Sequence, residues 1–367
     1  MSAINSGGRI RHIGWILWRF FSPVAWYVLI GIGVGCVAGA VILVLSLAVP
    51  GKGSDIQWFL AAHASDSVLF ASLASGAFSL PVMLRLFYRD QKRRGLRGGL
   101  FCRSESAVCS AAANWQMSEE ACAGASPVSA DATMQEADNT QLASETFGMH
   151  ELHVDADMRQ ISTAADAQRV KGDAGSFRLA VGRTVIPVAS ILLGAGACVV
   201  VNVLIALSGL TALAPESQSS QALYSGALWL QIVVAGLLLP VVEELVFRAL
   251  CFRRLREEFG PLVCAICSAT LFALFHGDLV SGVYAFVIGL LLAWVYECSG
   301  VLYAPMLLHI SANLMSLWLS QQLVSGNMNG LAAVVLLLCS AVAVAVGFVL
   351  LHCTNRYEWQ NFGDSYK

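Results

Sequence analysis

The sequence predicts an all-α, polytopic membrane bundle of about eight transmembrane helices with both termini on the inner side, N-in and C-in. Three observations predict it. Only 13% of the 367 residues are charged and 57% are hydrophobic, whereas a soluble domain carries about 25% charge. The apolar residues gather in blocks of roughly 20, the length of helix that crosses the bilayer core. The Lys and Arg residues gather at alternate ends of those blocks, and such clusters stay on the cytoplasmic side.

Taken in order, the first block covers 24–49. It follows a segment, Ile10 to Phe21, whose Trp15, Trp18 and Arg19 suit a helix lying in the interface. The block is too long for the h-region of a cleavable signal. The second covers 66–87 and runs into the basic stretch Arg85 to Arg103, which sets topology and has the composition to grip anionic headgroups. Six more blocks cover 185–209, 225–252, 261–278, 280–297, 301–321 and 330–352, the fifth and sixth of the series abutting with almost no loop. With the N-terminus inside, Arg9, Arg11, Arg19, the 85–103 run, Arg253, Arg254 and Arg256 all fall inside, and Lys52 falls outside.

These blocks divide the chain into an N-terminal two-span unit (1–99), a loop (100–178), a six-span unit (179–352) and an inner tail (353–367). The loop holds half of the chain's 24 acidic residues and is rich in Ala, Ser, Thr, Gln and Asp. Such a segment buries too little apolar surface to offset its ordering entropy, so it reads as a disordered cytoplasmic loop with a transient helix near 155–170. Inside it, His150, Glu151, His153, Asp155 and Asp157 read as a solvated acidic face rather than a Zn²⁺ site. Cys102, Cys109 and Cys122 lie on the same loop, where thiols stay reduced. Cys264 and Cys267, inside the fifth block, read as small apolar side chains.

The chemistry concentrates in three later blocks. From Ala227 to Phe252 the only charges are Glu243, Glu244 and Arg248. An ionised group in the bilayer core costs at least a few kcal/mol unless it is paired or faces a cavity, which makes it a functional candidate. Helical spacing brings Glu244 and Arg248 together as an i, i+4 pair. Glu243 points about 100° round, beside Phe247 and Pro240, and is the carboxylate available as a general base. The fifth block carries His276, with Phe272 one turn earlier and Gly277 next to it, small enough to admit another helix. The seventh opens with Pro305 and then carries His309 and Asn313 on one face, where both can donate hydrogen bonds to a developing oxyanion. Counted along each helix from its inner end, Glu243 lies about 15 Å deep, His309 about 6 to 13 Å, and His276 about 22 Å. His276 is therefore too deep for a straight helix beginning at Pro261.

The E-E-x-x-x-R of Glu243–Arg248, the F-x-x-x-H of Phe272–His276 and the H-x-x-x-N of His309–Asn313 resemble the three motifs of the CAAX prenyl protease and bacteriocin-processing family, also called the Abi family. The resemblance covers about residues 185–325. It implies a helical intramembrane endopeptidase of the glutamic type. In that scheme Glu243 activates a water, His276 positions or polarises it, and His309 with Asn313 stabilises the tetrahedral intermediate, while Glu244, Arg248 and Phe272 support them.

Two alternatives stay open. Glu243, His276 and His309 have the types of a zinc site with two His and one Glu, although no H-E-x-x-H is present. A non-catalytic bacteriocin-immunity or scaffold protein would use the polar residues for packing alone. The expected partners are membrane lipid and a peptide or protein substrate, membrane-anchored or free, with no nucleic acid and no required cofactor. The expected location is the membrane, the cytoplasmic one if the source is bacterial.

Overall fold

The computed structural model describes residues 6–48, 63–94, 184–213 and 225–364. The acidic loop at 100–178, its helix near 155–170, the His150–Asp157 group and Lys52 lie outside the described residues. The described residues from 6 to 94 and from 185 onward belong to one unit.

Eight principal helices are found among the described residues: α1 (Ser6–Ala48), α2 (Ala64–Arg93), α3 (Thr184–Leu207), α4 (Leu228–Leu255), α5 (Pro261–Leu274), α6 (Leu279–Ser299), α7 (Tyr303–Val324) and α8 (Gly330–Asp364). Six of them are long and apolar enough to cross a membrane: α1, α2, α3, α4, α6 and α8. The chain is thus a multi-pass integral membrane protein. The 22-residue α7 is long enough but carries His309, Asn313, Gln321 and Gln322, which dilute its apolarity.

Three features differ from the expectations. The segment 10–21 is no separate interfacial helix, because α1 runs unbroken from Ser6 through Pro23 to Ala48. A membrane helix tolerates such a proline where neighbours re-satisfy the freed backbone groups. The fifth span ends early: α5 has 14 residues, about 21 Å at helical rise, short of the roughly 30 Å hydrocarbon core. A four-residue break, 275–278, separates it from α6. Gly277 turns there with φ 78°, a left-handed conformation that suits a residue without Cβ. Asp278 then caps α6, its Oδ1 accepting the Ser281 N–H at 2.8 Å. Gly277 thus serves the turn rather than close helix packing. The third difference lies within α4, where the π-helical stretches Ile232–Leu238 and Leu245–Phe252 flank a short α-helical stretch, Leu239–Glu244. Single-turn π insertions in helices recur at functional sites.

The core gathers round α4. Val242, Leu245, Val246, Phe247, Leu250 and Phe252 are buried against Phe272 of α5, Ile288 and Leu292 of α6 and Leu308 of α7. The N-terminal pair joins this core through Phe20, Met83 and Phe87. Gly194 of α3 lies so close to α7 that a Cβ there would fall 2.1 Å from the Leu308 carbonyl oxygen. Such contact at a small residue is how membrane helices pack without a hydrophobic driving force. It fixes the backbone of α7 one residue before His309.

Candidate active site

Glu243 and Glu244 sit at the end of the α-helical stretch of α4, where the second π stretch begins. Their side chains meet different surroundings. Glu244 is fully buried, and Glu243 is 19% exposed. Glu244 Oε1 accepts a hydrogen bond from Arg248 Nη1 at 2.8 Å and one from His309 Nδ1 at 2.9 Å. Arg248 is the bulkiest of the fully buried side chains among the described residues. Its Nη2 donates to the Gly289 carbonyl at 3.1 Å, and its guanidinium lies 4.8 Å from the centre of the Phe272 ring. A buried charge of this kind persists only when paired and hydrogen-bonded, and Arg248 has the carboxylate, a carbonyl and an aromatic face.

The second imidazole nitrogen of His309, Nε2, lies 3.6 Å from Glu243 Oε2. Glu244 carries a formal charge balanced by Arg248, so His309 Nδ1 is the donor of their bond. Nε2 is thereby turned towards Glu243. Phe272 packs edge-on against the rings of both histidines, with centroids 5.5 Å from His309 and 4.6 Å from His276. It is the spacer between the two imidazoles, and Phe247 packs against its other side at 5.1 Å.

His276 does not sit inside a helix. It follows the last turn of α5, its N–H bonded to the Ala273 carbonyl at 3.0 Å. Its Nδ1 lies 2.9 Å from the Phe272 carbonyl, an acceptor only, so Nδ1 carries the proton and Nε2 of a neutral ring is an acceptor. Early termination of α5 puts His276 in the turn after the helix, so its depth does not follow from counting along a straight helix from Pro261.

Asn313 is placed by a different logic. Its Nδ2 donates to the Ala235 carbonyl at 2.8 Å. In the π stretch each N–H reaches five residues back, as Leu239 does to Val234. The next residue, Pro240, has no N–H, which leaves the Ala235 carbonyl without its donor. Asn313 supplies one from α7, and its second amide hydrogen stays available. Ser268 of α5 similarly donates to the Phe247 carbonyl, in the second π stretch, at 3.0 Å.

Of the seven residues singled out by sequence, Glu243, Glu244, Arg248, Phe272, His276 and His309 form one connected group, and Asn313 joins through α4 backbone. Sequence reasoning did not single out Tyr27 of α1, a part-buried phenol packed against the core that holds α4. A single Tyr in an apolar span carries no signal to distinguish it from packing. Among the described residues no three His, Cys, Asp or Glu side chains converge as a metal's ligands do, so the zinc alternative rests on residue types alone.

A carboxylate, two imidazoles and an amide thus gather among apolar helices as a polar cluster. Residues 225–315 match the family described as type II CAAX prenyl endopeptidase Rce1-like. A Bacillus subtilis (strain 168) protein named "Putative membrane peptidase YdiL" is 27% identical over 100 residues, 27% of this chain and 41% of that protein. The chain therefore matches about two-fifths of that relative's length. No solved structure matches. All three motifs fall inside the matched segment, so the match supports the resemblance to the CAAX prenyl protease and bacteriocin-processing family.

Proposed function

We propose that the protein is an intramembrane endopeptidase of glutamic type, with Glu243 as general base. The observation that carries this reading is the arrangement of the paired glutamates. Glu244 Oε1 is bonded to both Arg248 and His309, whereas Glu243 keeps some exposure and stands 3.6 Å from His309 Nε2.

In this scheme a water sits between Glu243 and the scissile carbonyl. The Glu243 carboxylate takes one of its protons while the oxygen attacks the carbonyl carbon, and the C=O electron pair becomes an oxyanion. His276 Nε2 accepts the water's other hydrogen and fixes its orientation. His309, protonated, points Nε2–H at the oxyanion, and the second amide hydrogen of Asn313 supports it. Preorganised donors of this kind act strongly in a water-poor site. Collapse breaks the C–N bond, and Glu243 returns its proton to the leaving amine. The charges balance: two glutamates face Arg248 and one imidazolium.

The expected substrate is a peptide segment at the membrane. The expected architecture is a catalytic unit at 179–352, read from the sequence as six spans although α5 is too short to cross by itself, joined to the two-span unit at 1–99, with both termini inside. Comparing the membrane proteomes of cells carrying the wild-type protein and Glu243→Gln identifies the substrate: a protein that accumulates uncleaved only in the variant. Equal processing in both sinks the assignment of Glu243. Activity retained in 1,10-phenanthroline, with no stoichiometric zinc in the active preparation, is the expected result. Loss of activity restored by zinc would instead make the same three residues a metal site. A Cys at Arg93, labelled only from the inner face in a Cys-free background, checks the orientation.

A further inference from the structure

The α1–α2 pair lies outside the matched segment and carries a feature that the proteolytic scheme does not use. Trp26 and Ile30 of α1 and Val82, Arg85, Leu86 and Arg89 of α2 line an open groove of about 590 Å³. The spacing is regular. Trp26 and Ile30 are four apart on α1, and 82, 85, 86 and 89 share one face of α2. The volume is that of a small-molecule site. Its floor is apolar, and its only charged groups are two guanidiniums one helical turn apart.

Several of the cations around those two arginines are paired. Arg254 pairs with Asp90, Arg256 with Glu297, and Arg19 and Arg94 both with Glu257. Arg85 and Arg89 are exposed, and among the described residues neither has a carboxylate partner. Asp90 is adjacent in sequence to Arg89 but points the other way, buried on Arg254. Arg89 thus lies at the level of the charged helix ends, and Arg85 about 6 Å further towards the bilayer core. A guanidinium at that depth needs an anion, and the anion available at a membrane surface is a phosphate ester.

We propose that the α1–α2 groove is a binding site for an anionic phospholipid. The headgroup phosphate bridges Arg85 and Arg89, and an acyl chain lies along Trp26, Ile30, Val82 and Leu86. The phosphodiester's single negative charge offsets one of the two guanidinium charges, and the chain fills the space between two helices. Trp26, half exposed at the groove's edge, takes the interfacial place that indoles prefer.

The test uses the full-length protein in vesicles of equal parts phosphatidylglycerol and phosphatidylcholine, followed by native mass spectrometry of the lipid that stays bound. Both lipids carry the phosphate, and only the first is anionic overall. The wild type should retain phosphatidylglycerol over phosphatidylcholine by about tenfold. Arg85→Gln/Arg89→Gln should bring the ratio to about one. Ile30→Trp, which fills the groove and leaves both arginines, should reduce total lipid retained to the background of the protein surface. Lys92→Gln/Arg93→Gln, which removes equal charge outside the groove, should leave the ratio unchanged. The groove is not the site if the wild type shows no preference, if Arg85→Gln/Arg89→Gln keeps it, or if the Lys92/Arg93 pair matters as much. Retention unchanged in Ile30→Trp would also overturn it. Should Arg85→Gln/Arg89→Gln fail to fold, the Ile30→Trp and Lys92→Gln/Arg93→Gln results decide.

Discussion

α4 carries two clusters of charge, and they are built differently. Near its C-terminal end, Arg254 is held on Asp90 at 2.5 Å and also donates to the Arg19 carbonyl and the Ser22 hydroxyl. Beside it Glu257 takes Arg19 on both oxygens and meets Arg94. Every one of these groups ties one chain segment to another, and the cluster joins α1 and α2 to α4. In the middle of α4 the pairing is left incomplete. Glu244 Oε2 and Arg248 Nε are buried with no hydrogen-bond partner, and Glu243 stands 3.6 Å from His309, beyond ordinary hydrogen-bond range. Unmet hydrogen-bonding capacity in a low-dielectric interior is costly. Arg94 Nε in the end cluster also lacks a hydrogen-bond partner, so what sets the middle cluster apart is the loose contact of the Glu243 carboxylate with His309, which leaves room for something that is bound or transformed.

The contrast predicts that substitutions in the two clusters separate activity from stability. The largest expected effect is Glu243→Gln, which should lower turnover by about 10²–10⁴-fold, the usual worth of a general base. Its thermal unfolding should match the wild type. A Glu243→Gln protein that cleaves at wild-type rate would break the division between the clusters.

Glu244→Gln should fall between the two behaviours. It strands Arg248 in the core, a cost of about 3–5 kcal/mol for a broken buried pair, and it releases the tautomer of His309, lowering activity in the folded fraction by about 10²-fold. Unfolding curves together with activity per folded molecule separate the two effects. Asp90→Asn should show the mirror image, costing up to about 3 kcal/mol with activity per folded molecule unchanged. A fall in specific activity would mean that the basic end and the site act as one.

Asn313→Ala sharpens the same contrast. If its amide meets the oxyanion, kcat falls by about 10²-fold or more; if it only satisfies the Ala235 carbonyl, stability falls by about 1 kcal/mol and kcat holds. The expected outcome is both losses together. The smallest effect belongs to Arg256→Gln. Its hydrogen bond to Glu297 raises the Arg256 pKa, but the pair is about a third exposed and should contribute less than about 1 kcal/mol. A denaturant midpoint within error of the wild type is the expected reading.

Much of the site was legible because its residues are rare where they stand. Charges inside an apolar block are conspicuous, and the Glu244–Arg248 pair follows from spacing alone, since i, i+4 contact survives the onset of a π stretch. The break before α6 was legible in part: the sequence divides there into two abutting blocks, but the first was carried to residue 278, whereas α5 stops at Leu274. The π stretches left no trace, because Ile232–Leu238 is apolar on every face and shows no change of period. The bond between Glu244 and His309 joins residues 65 apart. It arises from how α7 packs on α4, which no local pattern encodes. For the same reason the sequence reading treated Glu244 only as the partner of Arg248, whereas it also orients the imidazole.

Pro240 has a consequence for how the chain is assembled. A helix that enters the membrane normally brings its backbone bonds complete, but α4 enters with the Ala235 carbonyl open. Hydrocarbon offers no substitute donor, and such a group costs several kcal/mol while it waits. Its partner, Asn313, lies 78 residues further along the chain. Until α7 has been synthesised and inserted, α4 is an unfinished helix. It must be held by water, by the translocation machinery or by a loosened turn. Biogenesis of the site is therefore post-insertional: the same hydrogen bond that positions Asn313 also completes α4, so the amide arrives in place only when the bundle closes.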